Sequence, residues 1–282
     1  MSVALLGATA MVFGCGGGSD NADAGSTDAP VTRGTMSLSW SITDLDGNPL
    51  ACADVAALSI SLQMTRQGSA AGVVDPYTCA AGAATSRELD PGTYDVVVMA
   101  AAQAGNLTTP IVLEPVEVVA GQNTVLDPIV FRIDPVGNFS FRIDTGASAG
   151  NCADEAAGGG ALTALEIRLL DDGDVCIPTT FVIGDVNPVT YVSDCQGSTT
   201  GCVDKDVDFS VIGTASGPHT LEIIGDKDGL ECYSRTSMLA IPGNDLGRML
   251  GNLVLSLAPV PGCDPNAPDA GVVPDAGVPD AG

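Results

Sequence analysis

Apolar residues recur at every second position in one short segment after another, and this rhythm restricts the possible folds more than any other feature. In TMSLSWSI, Met36, Leu38, Trp40 and Ile42 fall on one face and Ser37, Ser39 and Ser41 on the other. ALSISL repeats the pattern with Leu58, Ile60 and Leu62; YDVVVMA, PIVFRI, NFSFRI, LEIRLL, DVDFSVI, TLEIIG and NLVLSL follow. An extended chain points alternate side chains to opposite faces, so each segment reads as a strand that buries one face.

Turn chemistry separates these segments: Asp46-Gly47-Asn48-Pro49, Asp90-Pro91-Gly92, Ala120-Gly121-Gln122-Asn123, Asp172-Gly173, Asp228-Gly229 and Pro242-Gly243-Asn244. Such residues supply positive φ, fixed φ or a local side-chain cap. No convincing amphipathic helix stands out. Short strands with regular turn signals predict an all-β chain built as antiparallel Greek-key sandwiches.

The order of elements repeats. Met36–Ile42, Cys52-Ala53-Asp54 and Ala57–Leu62 parallel Phe139–Ile143, Cys152-Ala153-Asp154 and Ala164–Leu169. Tyr94–Ala100 and Pro110–Phe131 then parallel Leu221–Gly225 and Ser237–Leu257. Two tandem domains are expected, 33–134 and 135–263, the second with an insertion near 171–200.

Nine cysteines are present. Setting Cys15 aside leaves Cys52, Cys79, Cys152, Cys176, Cys195, Cys202, Cys232 and Cys263, an even number, which in an exported chain reads as disulfides. Zinc fails on spacing, with no C-x-x-C pair and His219 the only histidine. Cys52 and Cys79 stand alone in the first half and are expected to pair. Among the connectivities open to the other six, the preferred one is Cys152–Cys202, Cys176–Cys195 and Cys232–Cys263.

Cys15 is set aside because of what surrounds it. Residues 2–14, SVALLGATAMVFG, are uncharged, mostly small or apolar, and too few to span a bilayer as a helix. Val12-Phe13-Gly14-Cys15 resembles a bacterial lipobox. The resemblance implies a signal peptide over 1–14, cleavage after Gly14, and a diacylglyceryl thioether with an acylated amino group at Cys15. Phe13 is bulkier than the usual residue there, and the leader lacks Lys and Arg. Residues 15–32 then read as a disordered tether, rich in Gly, Ser, Ala and Asp, holding the folded part clear of the membrane. Gly16 stands where an Asp would signal inner-membrane retention, so the resemblance points to the outer membrane.

The chain carries 35 acidic against 10 basic residues, a net charge of −25. That field repels nucleic acid and excludes it as a partner. The acidity reads as solubility, with diffuse divalent-cation binding as the sharper alternative.

Chemistry-bearing constellations are sparse, and no catalytic, cofactor-binding or metal residue is assigned. A Ser-His-Asp arrangement would need His219, which follows Gly217-Pro218 and reads as an exposed turn residue. Paired carboxylates for a hydrolase are inevitable among so many acids and therefore uninformative. Trp40, the one tryptophan, reads as core rather than as a sugar platform. Asp44-x-Asp46-Gly47-Asn48, Asp171-Asp172-Gly173-Asp174 and Asp226-x-Asp228-Gly229 place oxygens on turns as calcium likes, yet none completes an EF-hand. Gly158-Gly159-Gly160 reads as a flexible link, since no Lys-Ser/Thr follows to make a phosphate loop.

Leu89-Asp90-Pro91-Gly92-Thr93-Tyr94-Asp95-Val96 resembles the L-x-P-G-x-Y-x-V strand start of prealbumin-like sandwiches, which include carboxypeptidase regulatory-like domains and the B-type repeats of collagen adhesins. The Asp44–Leu50 turn fits the same pattern. In the second half, Ser216–Leu221 keeps the turn without the tyrosine. The resemblance implies a Greek-key sandwich of structural or binding role, with no catalytic residues to carry over. The tail, 264–282, carries Pro-Asp-Ala-Gly three times and is expected to stay disordered. With the tether, it is similar in composition to the flanks of lipoproteins from myxobacteria-like species. The expected protein is a lipid-anchored envelope module without enzymatic activity or cofactor, facing a protein or glycan partner. The alternatives are a calcium- or ligand-binding adhesin-like module and a secreted carboxylate-based hydrolase.

Overall fold

The computed structural model describes residues 32–243, 249–261 and 263. The leader, Cys15, the tether up to residue 31 and the tail from 264 lie outside them. The described residues are all-β, with three short 3-10 turns at Ala53–Val55, Cys79–Ala81 and Glu155–Ala157 and no α-helix. Among them, no helix is long and apolar enough to cross a membrane.

The first sandwich starts from Thr35–Thr43, whose alternation buries Met36, Leu38, Trp40 and Ile42. This strand pairs antiparallel with Pro49–Leu50 and Ala83–Thr85. The facing sheet is built on Ser59–Arg66, flanked by Gly72–Thr78 and Gly92–Ala102. The edge segments Gly105–Asn106, Ile111–Val112 and Val116–Val118 pair with Gly92–Ala102. Side chains from both sheets meet in one core that includes Met36, Ile60, Leu62, Met64, Val96 and Phe131. Leu58 does not join it. It precedes the Ser59–Arg66 strand and is 58% exposed, its backbone N–H bonded to Ala101 O and its carbonyl to the Cys79 N–H. The alternation therefore starts one step later than the sequence suggests.

The second sandwich repeats the plan with a different filling. Val136–Asp144 lies between Phe209–Ala215 and Met249–Ser256. The hairpin Thr179–Ile183/Val189–Ser193, from the stretch near 171–200, extends that sheet beyond Phe209–Ala215. The opposing sheet runs Cys176–Ile177, Ala164–Leu170, Gly217–Lys227, Leu230–Ile241, Ala258–Pro259. Here the core centres on Phe139, Phe141, Phe181 and Phe209, all fully buried. Phe141 stacks on Phe209 at 5.0 Å and meets Phe181 edge-on at 6.1 Å. Each such pair is worth about 0.5–1.5 kcal/mol beyond its buried area.

The sequence repeat is visible in the pairing. Ile60 faces Ala100 and Leu62 faces Val98 in the first sandwich; Leu165 faces Gly225 and Ile167 faces Ile223 in the second. One feature is added to the antiparallel plan. Thr35–Thr43 runs parallel to both Asn123–Val125 and Ile129–Arg132, and Val136–Asp144 runs parallel to Met249–Ser256. Parallel neighbours need a long crossover, and the whole intervening sandwich provides it.

The two halves touch at the Ala53–Val55 turn. The Gly243 N–H donates to Val55 O at 3.1 Å, and Ser216 Oγ donates to Asp54 O at 2.5 Å. Gly217, at φ +102°, lies so close that a Cβ there would sit 3.2 Å from Ala53 O.

Candidate binding clefts and the predicted residues

The Asp90-Pro91-Gly92 turn ends in Tyr94, whose ring is buried and whose hydroxyl donates back to Asp90 O at 2.8 Å. That bond fixes the turn against the core, while the Gly34–Leu89 bridge ties it to the start of the first strand. A cavity of about 380 Å³ opens beside it, lined by Arg33, Arg66, Arg87, Met64, Leu89 and Tyr94 among others. Asp75, almost fully buried, accepts from the Arg87 backbone N–H at 2.9 Å and from its Nε at 2.5 Å. Burial and the neighbouring Asp75 push the Tyr77 phenol up to about 12.

A larger cleft of about 650 Å³ lies in the second sandwich, between the Thr179–Ile183/Val189–Ser193 hairpin and residues 200–208. Val186, Val189 and Val207 give it apolar walls, and Asp185, Asp204, Asp206 and Asp208 line it with charge. Its one cation, Arg142, holds Asp208 in a bidentate pair at 2.6 and 2.8 Å. This hydrogen-bonded pair lowers the Asp208 carboxyl below its ordinary range and keeps Arg142 charged. A general acid needs the opposite shift, so Asp208 is a fixed anion there. Among the described residues of this half, burial and Glu166 push the Asp226 carboxyl up, and Asp226 does not line the cleft.

Among the described residues the disulfides are Cys52–Cys79, Cys152–Cys202, Cys176–Cys195 and Cys232–Cys263, with Cα–Cα separations of 6.0, 5.7, 5.8 and 4.8 Å. These are the pairs preferred from the sequence. Trp40 sits in the core and donates its Nε1–H to Cys79 O at 2.7 Å, so the first bridge and the tryptophan brace each other.

Two expectations are corrected. His219 is not an exposed turn residue. The strand begins at Gly217, so alternation turns Pro218 outward and His219 inward, where its Nδ1 lies 3.1 Å from Gly217 O. Gly158-Gly159-Gly160 is not a flexible link. Gly159 N–H bonds to Asp154 O and Gly160 N–H to Gly150 O, and a Cβ at Gly159 would strike the Ala153 backbone. The run is glycine because the loop around Cys152 packs against itself.

Local bonding also accounts for the first two acidic turns. Asp44 accepts from the Asn48 N–H and Nδ2 at 2.7 Å each, which holds its carboxyl low; Asp171 Oδ1 accepts from Gly173 and Val175 N–H at 2.9 Å each. Near the third cluster, Thr163 Oγ1 accepts from the Asp228 N–H at 2.9 Å. Among the described residues, no group of three or more His, Cys, Asp or Glu is placed to hold a metal ion.

Sequence reasoning missed Asn151, which is fully buried. Its Oδ1 accepts from the Thr145 N–H and Oγ1, its Nδ2 donates to Ile143 O and Val203 O, and its N–H reaches Asp204 Oδ1 at 2.8 Å. It was also silent on the arginine-lined cavity, because Arg33, Arg66 and Arg87 meet only through cross-strand pairing.

No protein family matches the sequence, nor does any curated protein. Solved structures give remote likenesses. The shaft pilin SpaA from Lactobacillus rhamnosus GG is 11% identical, with 81% of this chain and 99% of that one covered at a TM-score of 0.26. An adhesin-like protein from Bacteroides ovatus is 14% identical, with 74% and 76% covered at 0.26. A leucine-rich repeat protein from Bacteroides thetaiotaomicron is 10% identical at a TM-score of 0.25; 80% of this chain is covered, spanning only 26% of that protein's length. Scores of this size place the chain in no family.

Proposed function

We propose that the chain is a lipid-tethered, non-enzymatic module of the outer membrane surface, with tandem domains at 33–134 and 135–263 in a structural or binding role. Cys15 carries the lipid, the tether to residue 32 spaces the sandwiches from the membrane, and the partner is a protein or glycan. The observation that carries this reading is where the reactive side chains are engaged. His219 is turned onto a carbonyl, Trp40 braces a disulfide, and Asp44, Asp171 and Asp204 accept backbone N–H groups. Side chains committed in this way hold loops and cores in place. Acylation of Cys15 adds attachment that no described helix supplies.

Labelled palmitate with and without globomycin tests the anchor. Wild type should take up label and accumulate as a larger precursor when globomycin is present, while Cys15→Ala takes up none. Label surviving in Cys15→Ala, or absent from wild type, would remove the tether from the proposal. Melting in calcium and in chelator separates this reading from the calcium-module alternative, and the expected midpoints coincide.

A further inference from the structure

The chain has only 10 Lys and Arg against 35 Asp and Glu, yet three of those cations, Arg33, Arg66 and Arg87, line one cavity. Each guanidinium is anchored by part of its edge. Arg33 Nε pairs with Asp90 Oδ1 at 3.1 Å, Arg66 Nη2 donates to Pro91 O at 2.8 Å, and Arg87 is held by Asp75 and by Val74 O. Arg33 and Arg87 thus each have a carboxylate partner. Arg66 has none among the described residues; its recorded partner is a carbonyl. A guanidinium offers five donors in a rigid fork, and one bond to Pro91 leaves most of that fork for something else.

Arg66 packs against the turn. Gly92 has φ +151°, and a Cβ on it would lie 2.8 Å from Arg66 Nε, so the glycine leaves the space that the guanidinium occupies. Met64, Leu89 and Tyr94 supply a buried apolar floor. The bond to Pro91 O orients the exposed Arg66 beside that floor, and its remaining donors suit a flat or tetrahedral oxyanion.

We infer that this cavity is a binding site for an oxyanion carried on a small ligand (a carboxylate, phosphate or sulfate), with Arg66 as its principal contact and Arg33 and Arg87 flanking it. Glu88 and Asp90 also line the cavity. The inference goes beyond the tethered-module reading and holds whether or not Cys15 is acylated.

Calorimetric titration of the full-length chain at low ionic strength with inorganic phosphate, sulfate and glucuronate tests it, with chloride as the blank. At least one oxyanion should bind saturably, and the one that binds names the source chemistry. Arg66→Gln should weaken it at least tenfold, while Arg132→Gln, outside the cavity, leaves it unchanged. Arg33→Gln, on a half-exposed side chain, should weaken it severalfold and serves if Arg66→Gln does not fold. Absence of binding for all three probes, or binding that Arg66→Gln and Arg33→Gln leave intact, overturns the inference.

Discussion

The strand Thr35–Thr43 and its counterpart Val136–Asp144 open the two sandwiches in the same way, and the residues they present inward show how one plan is stabilised by two means. Where the first buries Trp40 and satisfies its indole on Cys79 O, the second buries Phe141 in a stack with Phe209. Just before the shared Cys-Ala-Asp, the first has an exposed Ala51 and the second a fully buried Asn151 that joins two carbonyls and Thr145. One described bridge staples the first half and three the second. A pattern of strands therefore sets the architecture, while polar braces and bridges are chosen locally. A buried polar hub is tolerated only where every group finds a partner.

The bridges offer the largest break in this comparison. Replacing Cys52 and Cys79 by Ala opens a loop of 27 residues and should cost the first sandwich about 3–4 kcal/mol. Fluorescence of Trp40, the only tryptophan, would report that loss separately from the second half. An unchanged denaturation midpoint by fluorescence would show that the bridge contributes nothing. Next comes Asn151→Ala, which strands two buried carbonyls and should cost the second sandwich about 2–3 kcal/mol by chemical denaturation. The matched change Ala51→Asn should be neutral, and equal costs at the two positions would erase the distinction.

A smaller difference lies in how the halves titrate. Asp208 has a lowered carboxyl, so its pairing with Arg142 contributes stability above the ordinary aspartate range and loses it as pH falls through the folded value. Asp226 is raised, and its contribution runs the other way, present at low pH and lost as pH rises. Asp208→Asn should flatten the acid limb of the melting curve at a cost of at most about 1 kcal/mol, because the pair is partly exposed. A steeper acid limb in that variant would contradict the pairing. Least of all in energy, alkaline difference spectra should show a tyrosine ionising near about 12, and Tyr77→Phe should delete that step. If the step survives, another phenol owns it.

Much of the architecture was legible because alternation is a direct consequence of strand geometry: Met36 through Ile42 announce their own inward face. The Cys176–Cys195 pair was legible because the repeat placed both cysteines in one extra segment. What was not legible depends on neighbours distant in sequence. His219 looked like a turn residue because Gly217-Pro218 is a turn signal, yet Gly217 is already paired with Ile241. The glycine run near 159 looked loose because nothing in the sequence shows the Ala153 backbone lying against it. The arginine cavity had no local signature, since Arg66 reaches the Pro91 turn only through the Arg66–Tyr94 register.

The parallel partnership of first and last strands has a mechanical meaning. Because Thr35–Thr43 and Ile129–Arg132 run in the same direction, the chain comes into the first sandwich at one pole and leaves it at the other; in the second, the chain continues past Met249–Ser256 into Ala258–Pro259 of the opposing sheet and is tied there by Cys232–Cys263. Tension drawn between the two poles then slides these strands past one another instead of peeling them apart. Their hydrogen bonds share the load in shear and must yield together. In the first sandwich, a pull on its two ends is thus met by strands loaded in shear.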